Sequence, residues 1–225
     1  MMELSEKTLE VLKNYASINS NIVIEAGNTV KTVAEAKNVL SSSILEDEFP
    51  RTFGVYDLNE FLRTLGLVDS PRVFFEDNFV SISDSTGRSR IKYHYSDPEN
   101  LTKPNKAIIM PEPEVKFTLD RDTLAKIKRA ASVLGHSEMT ISVENNVIVL
   151  SVIDTNDKTS NAFSIDVNGT FVDSNFNFVI NISNLKMIDG DYEVAISSKL
   201  ISHFVNKESN IEYWVALEKT STYGG

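Results

Sequence analysis

The feature that most constrains this chain is an internal repeat. Shifting the sequence by 115 residues places Leu4, Thr8, Leu9, Lys13 and Ala16 on Leu119, Thr123, Leu124, Lys128 and Ala131. A duplicated segment that buries one face per copy points to two similar domains sharing one architecture. Both segments read as the same helix. Ser5 and Asp120 are good N-caps, because a short polar side chain can accept from the unpaired amides of a first turn. In each copy a Leu precedes the cap by one residue and another follows it by four, the spacing of a hydrophobic staple. Leu9, Leu12 and Ala16 share one face of the first helix, and Leu124, Ile127, Ala131 and Leu134 share one face of the second.

The residues after each helix repeat as well. Asn21 to Glu25 and Met139 to Val143 alternate as strands, and Gly27-Asn28 and Asn145-Asn146 are turn signals before Thr29 to Val33 and Val147 to Val152, which predicts two hairpins. A second short helix is expected in each half, over Val55 to Leu65 and Ile182 to Ile188. Further strands are expected over Val73 to Ile82, Arg88 to Tyr95, Tyr192 to Ser197 and Ile211 to Leu217. The stretch Asp97 to Lys116 holds four of the six prolines and reads as an extended linker. The expected organisation is α+β, with two similar domains at residues 1–100 and 117–225 joined by a linker at 101–116. Each domain is expected to pack two helices on antiparallel sheets.

At 225 residues and 41% hydrophobic content the chain can build two packed cores. Zero cysteines exclude a disulfide scaffold and a thiolate nucleophile, and they fit a reducing compartment. Neither a secretory leader nor a membrane-length apolar run is visible, so no membrane partner is expected. No cofactor is expected either: GxxxxGK[ST], GxGxxG, HExxH and GxSxG are all absent from the sequence, and His94, His136 and His203 lie in unrelated contexts. Glu46-Asp47-Glu48 lacks the spacing of a calcium loop and reads as a solvated run between strand and helix. Asp189-Gly190-Asp191 reads as a turn, and Trp214, in an alternating strand, as a packing residue. The residues therefore offer no catalytic group and no metal site.

A net charge of -10 argues against nucleic acid unless cations are concentrated somewhere. They are concentrated in RDTLAKIKR, where Arg121, Lys126, Lys128 and Arg129 accompany the single anion Asp122. Helical spacing turns Arg121, Lys126 and Arg129 away from the apolar stripe and leaves Lys128 at its flank. The first helix offers Lys7, with Lys13 at the flank. No aromatic or amide side chains accompany them, so this is either an ordinary solvated face or a surface for phosphates without base readout.

LKNYASINS (Leu12 to Ser20), VYDLNEFL (Val55 to Leu62), KPNKAI (Lys103 to Ile108), FNFVINISNLKM (Phe176 to Met187), GDYEV (Gly190 to Val194) and VALE (Val215 to Glu218) resemble the DNA polymerase sliding clamp of T-even-type tailed phages. The resemblance runs almost end to end, and it is weakest over Leu40 to Pro50 and over Ile201 to Ser209, which reads as a loop. It implies a homotrimeric ring of six similar domains around duplex DNA, with no sequence specificity. Helices would line the hole, presenting Lys7, Lys13, Arg63, Arg121, Lys126, Lys128, Arg129 and Lys186. It also implies opening by a clamp loader, tethering of the replicative polymerase, and activation of late transcription through a sigma-like factor and a co-activator, in the cytoplasm of an infected bacterium. Head-to-tail closure would join Arg88 to Tyr95 of one copy to a strand near Asn161 to Val167 of the next. The proline-bounded run Ala107-Ile108-Ile109-Met110, together with Trp214, would wall a pocket for hydrophobic C-terminal peptides of partners, unless these residues merely cover the sheet. A β-rich virion or carbohydrate-binding module and an enzyme with dispersed carboxylates are the other classes compatible with the composition.

Overall fold

A helix in either half needs its first amides satisfied and its apolar stripe covered, and one arrangement meets both needs twice. The computed structural model describes residues 2–104, 108–157 and 159–224. Its contacts divide the chain into two units, Met1–Lys106 with Ser209–Ile211 and Ala107–Glu208 with Glu212–Gly225. Of the expected linker, residues 105–107 lie outside the described residues. Leu101 is buried, and Val115 already belongs to a strand.

In the first unit, helix α1 (Glu6–Ile18) starts where the Ser5 hydroxyl accepts from Thr8 N at 3.2 Å. It buries Thr8, Val11, Leu12, Tyr15 and Ile18, so the buried face centres on Tyr15, and Leu9 and Ala16 are only half-buried. Strand β1 (Ile22–Ile24) is followed by β2 (Gly27–Val33), β3 (Val39–Phe49) and β4 (Phe53–Val55). Next come α2 (Leu58–Leu65), capped by Asp57, and β5 (Arg72–Phe75), β6 (Phe79–Ser83) and β7 (Arg90–His94). The expected first hairpin does not form: β1 pairs with β4, and β2 pairs with β3. The turn that decides this is Ala34 to Val39, where Lys37 takes a φ of 57° and donates its amide to Ala34 O at 2.8 Å. A lysine in that conformation gives no turn signal to a reader of sequence.

Strand β3 takes in both the polar SSS segment, Ser41 to Ser43, and the run Glu46-Asp47-Glu48, which is expected from sequence to lie between strand and helix. Ser41 and Ser43 are buried, and the Ser41 hydroxyl donates to Tyr15 Oη at 3.1 Å while that phenol donates to Val30 O at 3.3 Å. Polar side chains that satisfy one another can occupy the inner face of a strand.

The second unit repeats the plan. Strand β8 (Val115–Leu119) leads into α3 (Arg121–Leu134), whose cap Asp120 accepts from Thr123 N at 2.7 Å and which ends at Gly135 with φ 70°. Then follow β9 (Glu138–Glu144), β10 (Val147–Ile153), β11 (Phe163–Val167), β12 (Gly169–Phe171), β13 (Phe176–Asn181), β14 (Tyr192–Ser197), β15 (Ile201–Asn206), β16 (Ile211–Ala216) and β17 (Thr222–Tyr223). One sheet has the order β11-β10-β9-β13-β17, and in the other β12-β8-β14-β15-β16 lie side by side. The β9–β10 hairpin forms as expected, with Asn145 and Asn146 both at positive φ. Ile201 to Asn206 is a strand and not a loop, with Ser202 buried and donating to Val215 O at 2.8 Å.

The expected helix over Ile182 to Ile188 is a single 3-10 turn, Ile182–Asn184. Beyond that turn Leu185, Met187 and Ile188 are all buried. The Ile188 amide donates to Tyr213 Oη at 3.2 Å, and the Ile188 carbonyl accepts from the Tyr192 hydroxyl, so its backbone groups are committed outside any helix. The fold is α+β, with three α-helices on antiparallel sheets among the described residues.

The β6–β7 connection is held by one carboxylate. Asp84 accepts from Thr86 Oγ1 at 2.8 Å and from the amides of Thr86, Arg88 and Ser89 at 2.9, 3.2 and 3.1 Å. These bonds, led by the Thr86 hydroxyl, outweigh partial desolvation and lower its pKa to about 2. A depressed folded pKa contributes stability above the ordinary carboxylate pKa, and that contribution is lost as pH falls from about 4 toward 2. The carboxyl carbon of Asp84, followed by NMR during acidification, should titrate near 2; a midpoint near 4 would show that the loop is not held this way.

Candidate nucleic-acid interface

The basic residues are placed by the same caps that start the helices. In α3, Asp120 accepts from Thr123 N, while the Arg121 amide donates to Asp191 at 2.8 Å. Burial of Thr123, Leu124, Ile127 and Ala131 then fixes the roll of the helix. Arg121, Lys126 and Arg129 are exposed and Lys128 is half-buried. Arg121 and Lys128, one heptad apart, share a flank; Lys126 and Arg129 lie on the side opposite the buried stripe. Burial lowers the Lys128 ammonium pKa from its ordinary value, and nearby Asp189 offsets part of that effect.

In α1, the Ser5 amide donates to Asp47 at 2.8 Å, which holds the helix start against β3. Lys7 and Lys13 are exposed, but so are Glu6 and Glu10, so the outward side of this helix carries both signs of charge. Lys7 Nζ lies 3.0 Å from Glu46. The acidic run Glu46-Asp47-Glu48 thus lies in β3 and not in a loop, with Asp47 at the helix cap and Glu46 on Lys7. Arg63 is exposed in the last turn of α2, and Lys186 is exposed just after the 3-10 turn. Arg121 meets Asp189 at 3.7 Å. Among the described residues, Lys13, Arg63, Lys126 and Arg129 form no ion pair within 4 Å.

Sequence reasoning found the cations but missed their carboxylate partners. Asp47 and Asp191 lie 42 and 70 residues from the amides they cap. The local signals are two acidic runs, Asp189-Gly190-Asp191, which reads as a turn, and Glu46-Asp47-Glu48, which reads as a solvated run.

The residues expected to wall a peptide pocket differ in exposure. Ile109 is 87% exposed, and Ile108 and Met110 are half-buried. Ala107 lies outside the described residues. The Trp214 indole stacks on the His203 ring at 4.6 Å between centroids and 9° between planes, and His203 Nε2 is 2.9 Å from Glu212. A cleft of about 490 Å³ opens on the same sheet and is lined by His203 together with Lys116, Glu193, Ala195 and Val205. Ile108, Ile109, Met110 and Trp214 are not among the residues that line this cleft.

Two helix-capped units on antiparallel sheets define a clamp-type fold, and comparison with solved structures agrees. Proliferating cellular nuclear antigen from Entamoeba histolytica superposes with a TM-score of 0.67 at 14% identity, covering 93% of this chain and 94% of that one. The corresponding protein of Thermococcus kodakaraensis gives 0.69 at 12% identity, covering 96% and 98%. Residues 116–219 match the family model described as "gp45 sliding clamp, C terminal". The chain is 32% identical over 222 residues to the sliding clamp of Vibrio phage KVP40, covering 96% of this chain and 99% of the relative. It is 30% identical over 230 residues to the sliding clamps of Escherichia phage RB69 and Enterobacteria phage T4, covering 99% of each chain. The chain belongs to the sliding-clamp family of T4-type phages. It is accordingly a non-catalytic protein of DNA replication.

Proposed function

We propose that three copies of this chain close head to tail into a ring around duplex DNA and hold the replicative polymerase there. The observation that carries this reading is the pair Lys126 and Arg129, exposed on α3 and in no ion pair within 4 Å among the described residues, in a chain with net charge -10. Cations without accompanying base-reading side chains suit attraction to phosphates at any sequence. A net negative remainder discourages DNA from binding elsewhere on the molecule. Closure is supported by two free sheet edges: β7 ends the β5-β6-β7 sheet, and β11 ends the sheet containing β10. Edge strands present unpaired amides and carbonyls that another chain can complete. The curated relatives are named sliding clamps, and by that kinship a clamp loader, the polymerase and, for late transcription, a sigma-like factor with a co-activator are its proposed partners in the infected bacterium. Ile108, Ile109 and Met110, with Trp214, are the proposed wall for partner peptides, on the strength of an isoleucine left 87% exposed in a proline-bounded segment.

Native mass spectrometry at micromolar concentration should show three chains. A monomer unchanged at higher concentration would remove the ring. Replacing Arg121, Lys126 and Arg129 together by Glu should leave that mass intact and weaken retention on circular DNA, with the wild-type advantage greatest at low salt; full polymerase stimulation by the triple mutant at every salt concentration would refute the DNA-facing assignment. Ile109→Ala and Met110→Ala should each weaken a fluorescent polymerase C-terminal peptide severalfold, since buried anchors concentrate binding in few residues. Wild-type affinity in both variants would move the peptide site elsewhere.

A further inference from the structure

We infer that Asp189 and Glu46 are built-in counter-ions that compete with DNA phosphates for the cations beside them, keeping contact with DNA weak enough to be exchanged. The inference rests on the DNA-facing reading of α1 and α3 and specifies how that face is tuned. In both units the helix start carries the same two-part acidic device. One carboxylate, Asp47 or Asp191, accepts from a backbone amide at the helix start at 2.8 Å. A second carboxylate, one or two residues earlier, meets a first-turn cation: Glu46 reaches Lys7 at 3.0 Å, and Asp189 reaches Arg121 at 3.7 Å.

The first carboxylate fixes where the second one sits. The turn passes close against the side chain of Asn206, since a Cβ on Gly190 would come within 2.3 Å of Asn206 Nδ2, and glycine lets it lie there. The second carboxylates are poorly suited to a purely structural role. Side-chain exposure is 69% and 71% for Arg121 and Asp189, and 68% and 57% for Lys7 and Glu46. Pairs so exposed add little to folding and exchange readily for another anion. Arg121 and Lys128 share the flank that Asp189 faces, whereas Lys126 and Arg129 lie clear of it. A phosphate arriving at Arg121 must displace Asp189 and then sit beside its negative charge. The helix therefore offers two ready cations and two restrained ones.

The test uses the full-length protein, a short fluorescent duplex and a salt series read by anisotropy. Asp189→Asn should bind roughly threefold tighter than wild type at low salt, the size expected on releasing one exposed pair. The slope of log affinity against log salt should steepen by about 0.9, as for one further phosphate contact. Glu46→Gln should shift in the same direction. Melting should separate this role from capping: Asp191→Asn lowers the transition temperature, and Asp189→Asn leaves it in place. The gain from Asp189→Asn should vanish in an Arg121→Gln/Lys128→Met background, and should shrink in Arg121→Gln alone should the double variant fold poorly. Wild-type duplex binding that responds to salt, with Asp189→Asn no tighter, overturns the inference while leaving the DNA-facing reading standing. A gain that persists without Arg121 and Lys128 also overturns it, because the effect would then be one of net charge. No salt-dependent binding by wild type removes the DNA-facing reading, and this inference with it.

Discussion

The carboxylates that tie each helix start to a distant part of its own unit are the constraint on which the remaining architecture depends. A helix leaves its first amides without internal partners, and an unmet buried donor costs free energy. Ser5 and Asp47 meet that need in one unit, and Asp120 and Asp191 in the other. Because Asp47 comes from β3 and Asp191 from the turn before β14, the caps also set how each helix lies along its sheet. Burial of one stripe then fixes the roll, and every charged residue on the outer side inherits its direction.

Much of this was legible in sequence because it is local. The caps Ser5 and Asp120, the apolar stripe of α3, the helix after Asp57 and the Asn145-Asn146 hairpin depend on residues within a few positions of one another. What was not legible depends on distant partners. Ser202 reads as a loop residue, and Ser41 carries no mark of burial, until the Val215 carbonyl and Tyr15 are seen to satisfy them. The segment Ile182 to Ile188 has a plausible helical composition, yet two tyrosine hydroxyls bind the backbone of Ile188 and hold the chain out of a helix. The pairing of β1 with β4 instead of β2 is hidden for another reason: the turn that joins β2 to β3 rests on Lys37 at a φ of 57°, a conformation its residue type does not signal.

The candidate site divides along the same line. Cations on α3 could be recognised from spacing alone, since a helix face is a local property. Their carboxylate neighbours could not, for the reason that hid the inner faces of β3 and β15. A count of Lys and Arg therefore overstates the positive charge available to a ligand. Lys7 and Arg121 are partly neutralised, Lys128 is half-buried, and only part of the apparent cluster is free to act.

A ring meant to slide gains nothing from tight contacts. An exposed cation near a phosphate is worth little at physiological salt, where screening acts over about 8 Å. Several such contacts in exchange hold a duplex near the centre of a ring without fixing it at any base pair. Stronger or base-specific contacts would turn each step along the duplex into a dissociation event. On the proposed DNA-facing reading, a net acidic chain with a few rigidly placed cations, some of them shared with internal carboxylates, reaches this balance through its electrostatics. Retention then comes from topology, and the protein surface has only to avoid binding too well.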